Sequence, residues 1–362
     1  MALKIAINGP QTGREEISAV SSVLRDGVLT SSASQGGRRV RAFEKSAASF
    51  VKSRYAVAVS SGTAALQASL CALGIKGGDE VLVPSFTFIA TANAVVSVGA
   101  RPVFVDIQRD NYTMDPGDLQ KKITKKTKAA IPVHVYGNVA HVGEISEITR
   151  QNNIPVVEDA AQSLGSTYKN RHTGTFFEMG CYSMYPGKVM TSGEGGFIVT
   201  KSKKLRDRLR MIRNHGMIRG YDSKMFGLNL RLPEISAAIA SVQLKKLPAF
   251  LKSRKKNAAM LSEMLADLNL ELPVPRRHES VNWCLYTVAA SRRNKLLRDL
   301  NRKGIGAASY YTTPVHKTPF YKTGKKLPVT DWAASRVLSL PVHPGVTASE
   351  TRYIARAVRG SL

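Results

Sequence analysis

Residues 14–25, REEISAVSSVLR, repeat apolar side chains at intervals of three and four behind two leading glutamates. That spacing predicts an amphipathic helix whose dipole favours the acidic start. Residues 40–50 resume the period and put Phe43 and Phe50 on one face. The stretch between them, 30–37, is polar and carries glycine, as a surface loop would. Downstream the pattern changes to short, continuous apolar runs at 55–59, 80–84, 102–105, 129–135 and 154–157. Helical segments alternate with these runs, most clearly at 90–98 and 142–151. Strands that are apolar at every position are buried on both faces, and their alternation with helices predicts an α/β fold with a mostly parallel central sheet.

Two more strands, 181–185 and 197–200, flank a tight turn at Pro186 and Gly187 and the glycine-rich loop 192–196. From about residue 247 the character shifts to a helix at 252–268, a strand at 285–290, a helix at 295–303 and a turn at 304–306 that leads into 308–311. The expected division is a large α/β domain over 1–246 and a smaller C-terminal α+β domain over 247–362.

Composition narrows the class. The 362 residues can bury a substantial core, and 43% hydrophobic content is ordinary for a soluble protein. No apolar run reaches membrane-spanning length, so no membrane association is expected. The opening MALKIAINGP lacks a signal-peptide pattern, and Cys71, Cys181 and Cys284 lie far apart without metal-ligand spacing. Neither a disulfide nor a metal is expected, and a reducing cytoplasm is the expected compartment. The unusual property is a net charge of +27, with basic clusters at 121–128, 201–213, 245–256 and 292–303. Such an excess attracts nucleic acid or anionic small molecules. Leucine, isoleucine and methionine recur among the clusters at helical spacing, which makes them solvated helix faces, and no nucleic-acid-binding signature accompanies them. Nucleic acid is therefore not the expected partner.

Four features carry chemistry. Lys188 stands beyond an apolar strand, beside a turn that fixes it. An amine that leaves water at such a place is disfavoured in its charged form, and a neutral, fixed amine is what Schiff-base chemistry needs. Ser61, Gly62 and Thr63 lie between the strand at 55–59 and a following helix. That position is either an ordinary helix cap or a phosphate site, since unpaired N–H groups collect at the positive end of a helix dipole. Phe88 follows the strand at 80–84 and can stack on a planar ring. Asp159 follows the strand at 154–157, where a carboxylate either caps the next helix or pairs with a ring nitrogen. An amine, a phosphate cradle, a stacking ring and a carboxylate at strand ends of one sheet together match one ligand, pyridoxal 5'-phosphate.

The chain also resembles a known family, the DegT/StrS sugar aminotransferases, whose members depend on pyridoxal phosphate and share the aspartate-aminotransferase fold (fold type I). The resemblance runs through SSGTAAL, PSFTFIATANAVVSVGARPVFVD, VHVYG, EDAAQSLGS, the lysine segment with its GEGG, RNHG, GLNLRLPEISAAIASVQLKKL and LPVHPGVT. It implies that Lys188 forms the Schiff base and moves the proton, that Asp159 pairs with the pyridine nitrogen and that Gln162 reaches the ring hydroxyl. It implies further that Gly62, Thr63 and Ser183 hold the phosphate, that Phe88 stacks on the ring, and that Asn229 reaches the phosphate of a partner subunit in a homodimer. His215, Arg231, Tyr310 and His316 resemble substrate-side positions. The sequence departs from the family's pattern at Phe177-Glu178, Ser163-Leu164 and Val189, where glycine-aspartate, alanine-histidine and asparagine are common.

The function implied is transfer of an amino group from an amino acid, glutamate in most of the family, to a keto-sugar carried on a nucleotide diphosphate, as in amino-sugar and surface-polysaccharide biosynthesis. A keto-cyclitol is an alternative acceptor. Sugar dehydration is another reading, although the family's dehydratases place histidine where Lys188 stands or pair with an iron–sulfur partner. A third is a non-catalytic regulator that binds nucleic acid through its basic surface.

Overall fold

The computed structural model describes residues 4–362. Seven strands lie side by side in the order Tyr55–Val59, Gly196–Thr200, Met179–Ser183, Val157–Asp159, Thr127–Ala130, Glu80–Pro84 and Arg101–Val105, with parallel bridges Ala130–Val156 and Val133–Asp159 joining the two halves. Gly196–Thr200 runs antiparallel to both neighbours; the other pairings are parallel. Side chains along each strand alternate between two cores, as strand geometry requires. Val57, Val59, Cys181 and Ile198 face the core beneath the Gly62–Leu73 helix. Ala56, Ala58, Tyr182, Phe197 and Val199 face the core beneath Arg38–Phe50 and the first half of Glu234–Leu265. The expected mostly parallel sheet, covered on both faces, is therefore present.

Strand limits move from the expected ones for local reasons. The run at 129–135 pairs as Thr127–Ala130 and then only through the single bridge at Val133, before a short helical turn at Val135–Gly137. The run at 154–157 contains Pro155, which has no N–H to give, and regular pairing begins at Val157 and ends at Asp159. The strand expected at 181–185 is Met179–Ser183: Met184 N–H still bonds the Gly195 carbonyl, but the Met184 carbonyl accepts from Ser192 N–H and Thr191 Oγ1, which turns the chain out of the ladder.

A second core forms around Tyr286–Ala289 and Val337–Leu340, an antiparallel pair extended by bridges at Glu271 and Ala308. Ile5 joins this core and bridges Ile305, so the N-terminal segment crosses over to the smaller unit. The helix expected at 252–268 is the second half of one 32-residue helix, Glu234–Leu265, which passes through the expected boundary with Pro248 inside it. Proline removes one helical hydrogen bond, but Leu244 and Leu247 are locked in one core and Ala258 and Leu261 in the other, and packing holds the helix through it.

The parallel strands and the turns that follow them share one edge of the sheet. Ser60–Thr63, Ser85–Phe88, Asp159–Gln162 and Ser183–Lys188 all lie along it. A shallow basic depression lined by Ile123, Lys125, Lys128, Asn152 and Pro155 lies at the opposite edge and holds none of the predicted residues.

Candidate active site

Lys188 is fixed by its loop. Its N–H donates to the Tyr185 carbonyl at 2.9 Å, closing the turn over Pro186 and Gly187. Ser192 N–H and Thr191 Oγ1 both donate to the Met184 carbonyl, at 2.9 and 3.0 Å, folding the glycine-rich loop back over the strand end. The side chain is half-buried. The next strand passes close under the neighbouring turn: a Cβ on Gly196 would stand 2.4 Å from the Ser61 carbonyl oxygen. Only glycine fits there.

Of the two sequence readings of Ser61, the helix cap is visible directly. Ser61 caps the Gly62–Leu73 helix, accepting from Ala64 N–H at 3.0 Å through Oγ. Among the described residues no protein acceptor takes the N–H groups of Gly62 and Thr63. They open at the positive end of a buried helix, beside Ser183: a Cβ on Gly62 would lie 2.8 Å from Ser183 Cβ. The result is a small anion cradle formed by Ser61, Gly62, Thr63 and Ser183.

Asp159 is buried at 5% exposure. Ala161 N–H donates to its Oδ1 at 3.1 Å and Thr91 Oγ1 to its Oδ2 at 2.8 Å. Burial pushes its carboxyl above the ordinary value, opposed by those two hydrogen bonds and by the charges of Lys188 and His134. Among the described residues no cationic nitrogen lies within 4.0 Å of it. The adjacent Glu158 is fully buried and spent on structure: it accepts from Gly174, Phe176 and Phe177 N–H at 2.6, 2.7 and 3.0 Å, and pairs with His134 Nε2 at 3.0 Å. Ala140 N–H donates to His134 Nδ1, so a neutral ring carries its proton on Nε2, toward Glu158.

Gln162 is held at both ends. Its Oε1 accepts from Tyr136 N–H at 2.6 Å and its Nε2 donates to Tyr311 Oη at 2.9 Å. The amide keeps one N–H free. Tyr311, the neighbour of Tyr310, therefore stands beside the site as well. Its hydroxyl feels the Asp159 charge, and burial pushes it above the ordinary phenol value. Tyr310 is half-buried and its carbonyl accepts from Tyr136 Oη. Phe88 is 57% exposed, with its ring centroid 6.3 Å from that of Tyr311, so one face is open to a ligand. His316 is turned inward: its Nδ1 lies 2.6 Å from Ser85 Oγ, and burial lowers its pKa. That contact ties the 310–316 segment to the strand end at Pro84 and leaves the imidazole away from the open edge.

Asn229 is exposed, in a segment that bridges Asn214 and gives the Leu230 carbonyl to Ser60 N–H at 2.9 Å. Arg231 Nη1 donates to Asn214 Oδ1 at 2.9 Å, and His215 is exposed at φ +57°. None of these three side chains hydrogen-bonds to Lys188, Asp159 or the Ser61–Thr63 cradle of its own chain. Of the departures from the family's pattern, Ser163, Leu164 and Val189 are buried, Phe177 is half-buried, and Glu178 is exposed and accepts from Val156 N–H at 2.8 Å. No helix among the described residues is long and apolar enough to cross a membrane.

The arrangement thus sets an amine, an anion cradle and a buried carboxylate without a cation along one sheet edge. The chain is similar over most of its length to known proteins. A UDP-N-acetyl-3-dehydro-alpha-D-glucosamine 3-aminotransferase of Acidithiobacillus ferrooxidans is 37% identical over 330 residues, 90% of this chain and 89% of that one. A pleiotropic regulatory protein of Geobacillus stearothermophilus is 34% identical over 342 residues, 92% of each. The crystal structure of S. venezuelae DesV in complex with a ketimine intermediate superposes with a TM-score of 0.92 at 37% identity, covering 96% of this chain and 94% of that one. A family model matches residues 10–359, and by that match the chain belongs to the DegT/DnrJ/EryC1/StrS aminotransferase family.

Proposed function

We propose that the protein is a pyridoxal-phosphate-dependent aminotransferase that moves an amino group from an amino acid, glutamate as the expected donor, to a keto-sugar carried on a nucleotide diphosphate. The observation that carries this is Asp159. A buried carboxylate with two neutral donors and no cation within reach is costly, and a protonated pyridine nitrogen is the partner that would relieve it. The cradle suits a phosphate because, among the described residues, the Gly62 and Thr63 N–H groups stand without a protein acceptor at the positive end of their helix, beside the Ser183 hydroxyl. When bound, the cofactor supplies an electron sink for the carbon that exchanges its amino group.

The protein's own residues do the rest. Gly62 and Thr63 N–H, with the Ser61 and Ser183 hydroxyls, bind the phosphate, and Phe88 covers one ring face. Gln162 offers its free N–H to the ring hydroxyl. Asp159 holds the ring-nitrogen proton, and the Lys188 amine carries a proton between carbon atoms of cofactor and substrate. Asn229 comes from a second copy of the chain: it is exposed, and the hairpin beside it leaves Ile218 53%, Tyr221 99% and Phe226 68% exposed, an apolar surface that suits a homodimer. His215 and Arg231 of that same segment then face the acceptor.

The relative that acts on a UDP-linked 3-dehydro sugar supports this acceptor class. A screen of UDP- and dTDP-linked keto-sugars with glutamate, with products read by mass, tests it. Amino-sugar product with at least one acceptor is expected. Tight DNA binding at physiological salt, with no uptake of pyridoxal phosphate and no product, would favour the regulator instead.

A further inference from the structure

We propose that Thr91, braced by Thr87, is a positioning residue that keeps the Asp159 carboxylate charged and aimed at the ring nitrogen of the cofactor. This rests on the function proposed above. Thr87 lies in the turn after the Glu80–Pro84 strand and Thr91 in the first turn of the Ala90–Ser97 helix. Their hydroxyl oxygens are 2.9 Å apart, and Thr91 Oγ1 is 2.8 Å from Asp159 Oδ2. All three side chains are buried, at 3, 1 and 5% exposure.

The direction of the chain follows from proton count. An ionised carboxylate only accepts, so Thr91 spends its single proton on Asp159. Thr91 can then only accept from Thr87, and each donation polarises the next. Ala161 N–H occupies the other carboxylate oxygen, so both oxygens are anchored and each keeps a second lone-pair direction for a ligand. Two donors on a buried carboxylate fix its orientation and favour its charged form, which a pyridinium needs opposite it. Thr87 and Thr91 stand four apart across the turn from strand to helix, so a single backbone segment delivers both hydroxyls.

A purely structural role, pinning the start of the helix, would not care what the cofactor's ring contains. The test therefore compares two ligands on cofactor-free protein: pyridoxal phosphate and an analogue with carbon in place of the ring nitrogen. Thr91→Val should weaken pyridoxal phosphate binding about tenfold, the loss of one hydrogen bond to a charged group. Thr91→Ser should restore it to within about twofold, and Thr87→Val should lose less than Thr91→Val, in the same direction. With the carbon analogue, wild type and Thr91→Val should bind alike. An equal loss with both ligands, or no loss with either, overturns the proposal; should Thr91→Val fail to fold, the same comparison on Thr87→Val decides it. Wild-type protein that takes up no pyridoxal phosphate sinks the proposed function itself, whereas normal uptake with an unaffected Thr91→Val sinks this inference alone.

Discussion

Glu158 and Asp159 are adjacent on one strand and buried together, yet their carboxylates share no hydrogen-bond partner. Glu158 is surrounded by three backbone N–H groups and a histidine, and Asp159 by one N–H and one hydroxyl. The first is a closed structural site; the second is open to a ligand. Removing Glu158 would leave four buried donors unmatched. Glu158→Ala should therefore cost about 3–5 kcal/mol of stability, the usual consequence of breaking a buried charged network. Thermal melting of the purified variant measures this, and a melting point equal to wild type would refute the structural assignment.

Asp159 should behave in the opposite way in cofactor-free protein. Burial raises its folded-state pKa. Between the ordinary carboxylate range and that raised value, the folded protein holds a proton that the unfolded chain has released, so stability falls as pH rises through that window. Asp159→Asn has no charge to bury; its amide oxygen still accepts from Ala161, and the Thr91 hydroxyl can turn to accept from the amide. The cofactor-free variant should melt above cofactor-free wild type at neutral pH, and the gap should close as pH falls to the ordinary carboxylate range. Its affinity for pyridoxal phosphate should drop. A gap that widens on acidification would contradict the burial of a charged group here.

The proposed chemistry of Lys188 has a direct readout. Borohydride treatment of cofactor-loaded protein should add the cofactor's mass to the peptide containing Lys188, and to no other. Lys188→Ala should keep the fold, because the loop is held by Met184, Thr191 and Ser192 rather than by the amine, and should lose turnover. An unmodified peptide, or a variant with normal turnover, would remove Lys188 from the mechanism.

How much of this was legible beforehand follows from which signals are local. The buried strands at 55–59 and 80–84 declare themselves, because continuous apolar runs admit few other environments. Lys188, Asp159 and the Ser61 turn stand at strand ends that the same runs define. The passage of Glu234–Leu265 through Pro248 was hidden, because proline reads as a stop unless packing on both sides is known. The roles of Thr87, Thr91 and Tyr311 were hidden too: a hydroxyl's partner is set by tertiary contact, and nothing in a residue's own neighbourhood names it. The inward turn of His316 toward Ser85 belongs to the same class, 231 residues away in sequence.

Two glycines of the GEGG loop separate steric need from backbone conformation. Gly193 has φ +80° with open space where a Cβ would stand, and Gly196 would place that Cβ 2.4 Å from the Ser61 carbonyl. Gly193→Ala should cost about 1–2 kcal/mol from its left-handed backbone and leave cofactor affinity intact. Gly196→Ala should cost about 1–3 kcal/mol through overpacking, and it should also weaken pyridoxal phosphate binding by displacing the cradle. Melting and cofactor titration on both variants check this. Equal cofactor affinity in the two would mean that the cradle is not where the phosphate binds.

The proposed sharing of the site between two copies makes the last prediction. Asn229 is exposed and makes no hydrogen bond to its own chain's amine, carboxylate or cradle; under the proposed homodimer, Asn229→Ala and Lys188→Ala would damage different subunits' contributions to one site. In a mixed dimer of the two variants, one site combines both defects and the other receives an intact lysine and an intact asparagine. Each variant alone should be impaired, Lys188→Ala fully. After mixing under conditions that exchange subunits, activity should rise above the sum of the separate samples, toward one competent site per mixed dimer. Size-exclusion chromatography must show a dimer for the experiment to bear on this geometry. A monomer, or a mixed dimer with no recovery, would place Asn229 outside the active site, and the apolar hairpin at Ile218, Tyr221 and Phe226 would then need another occupant.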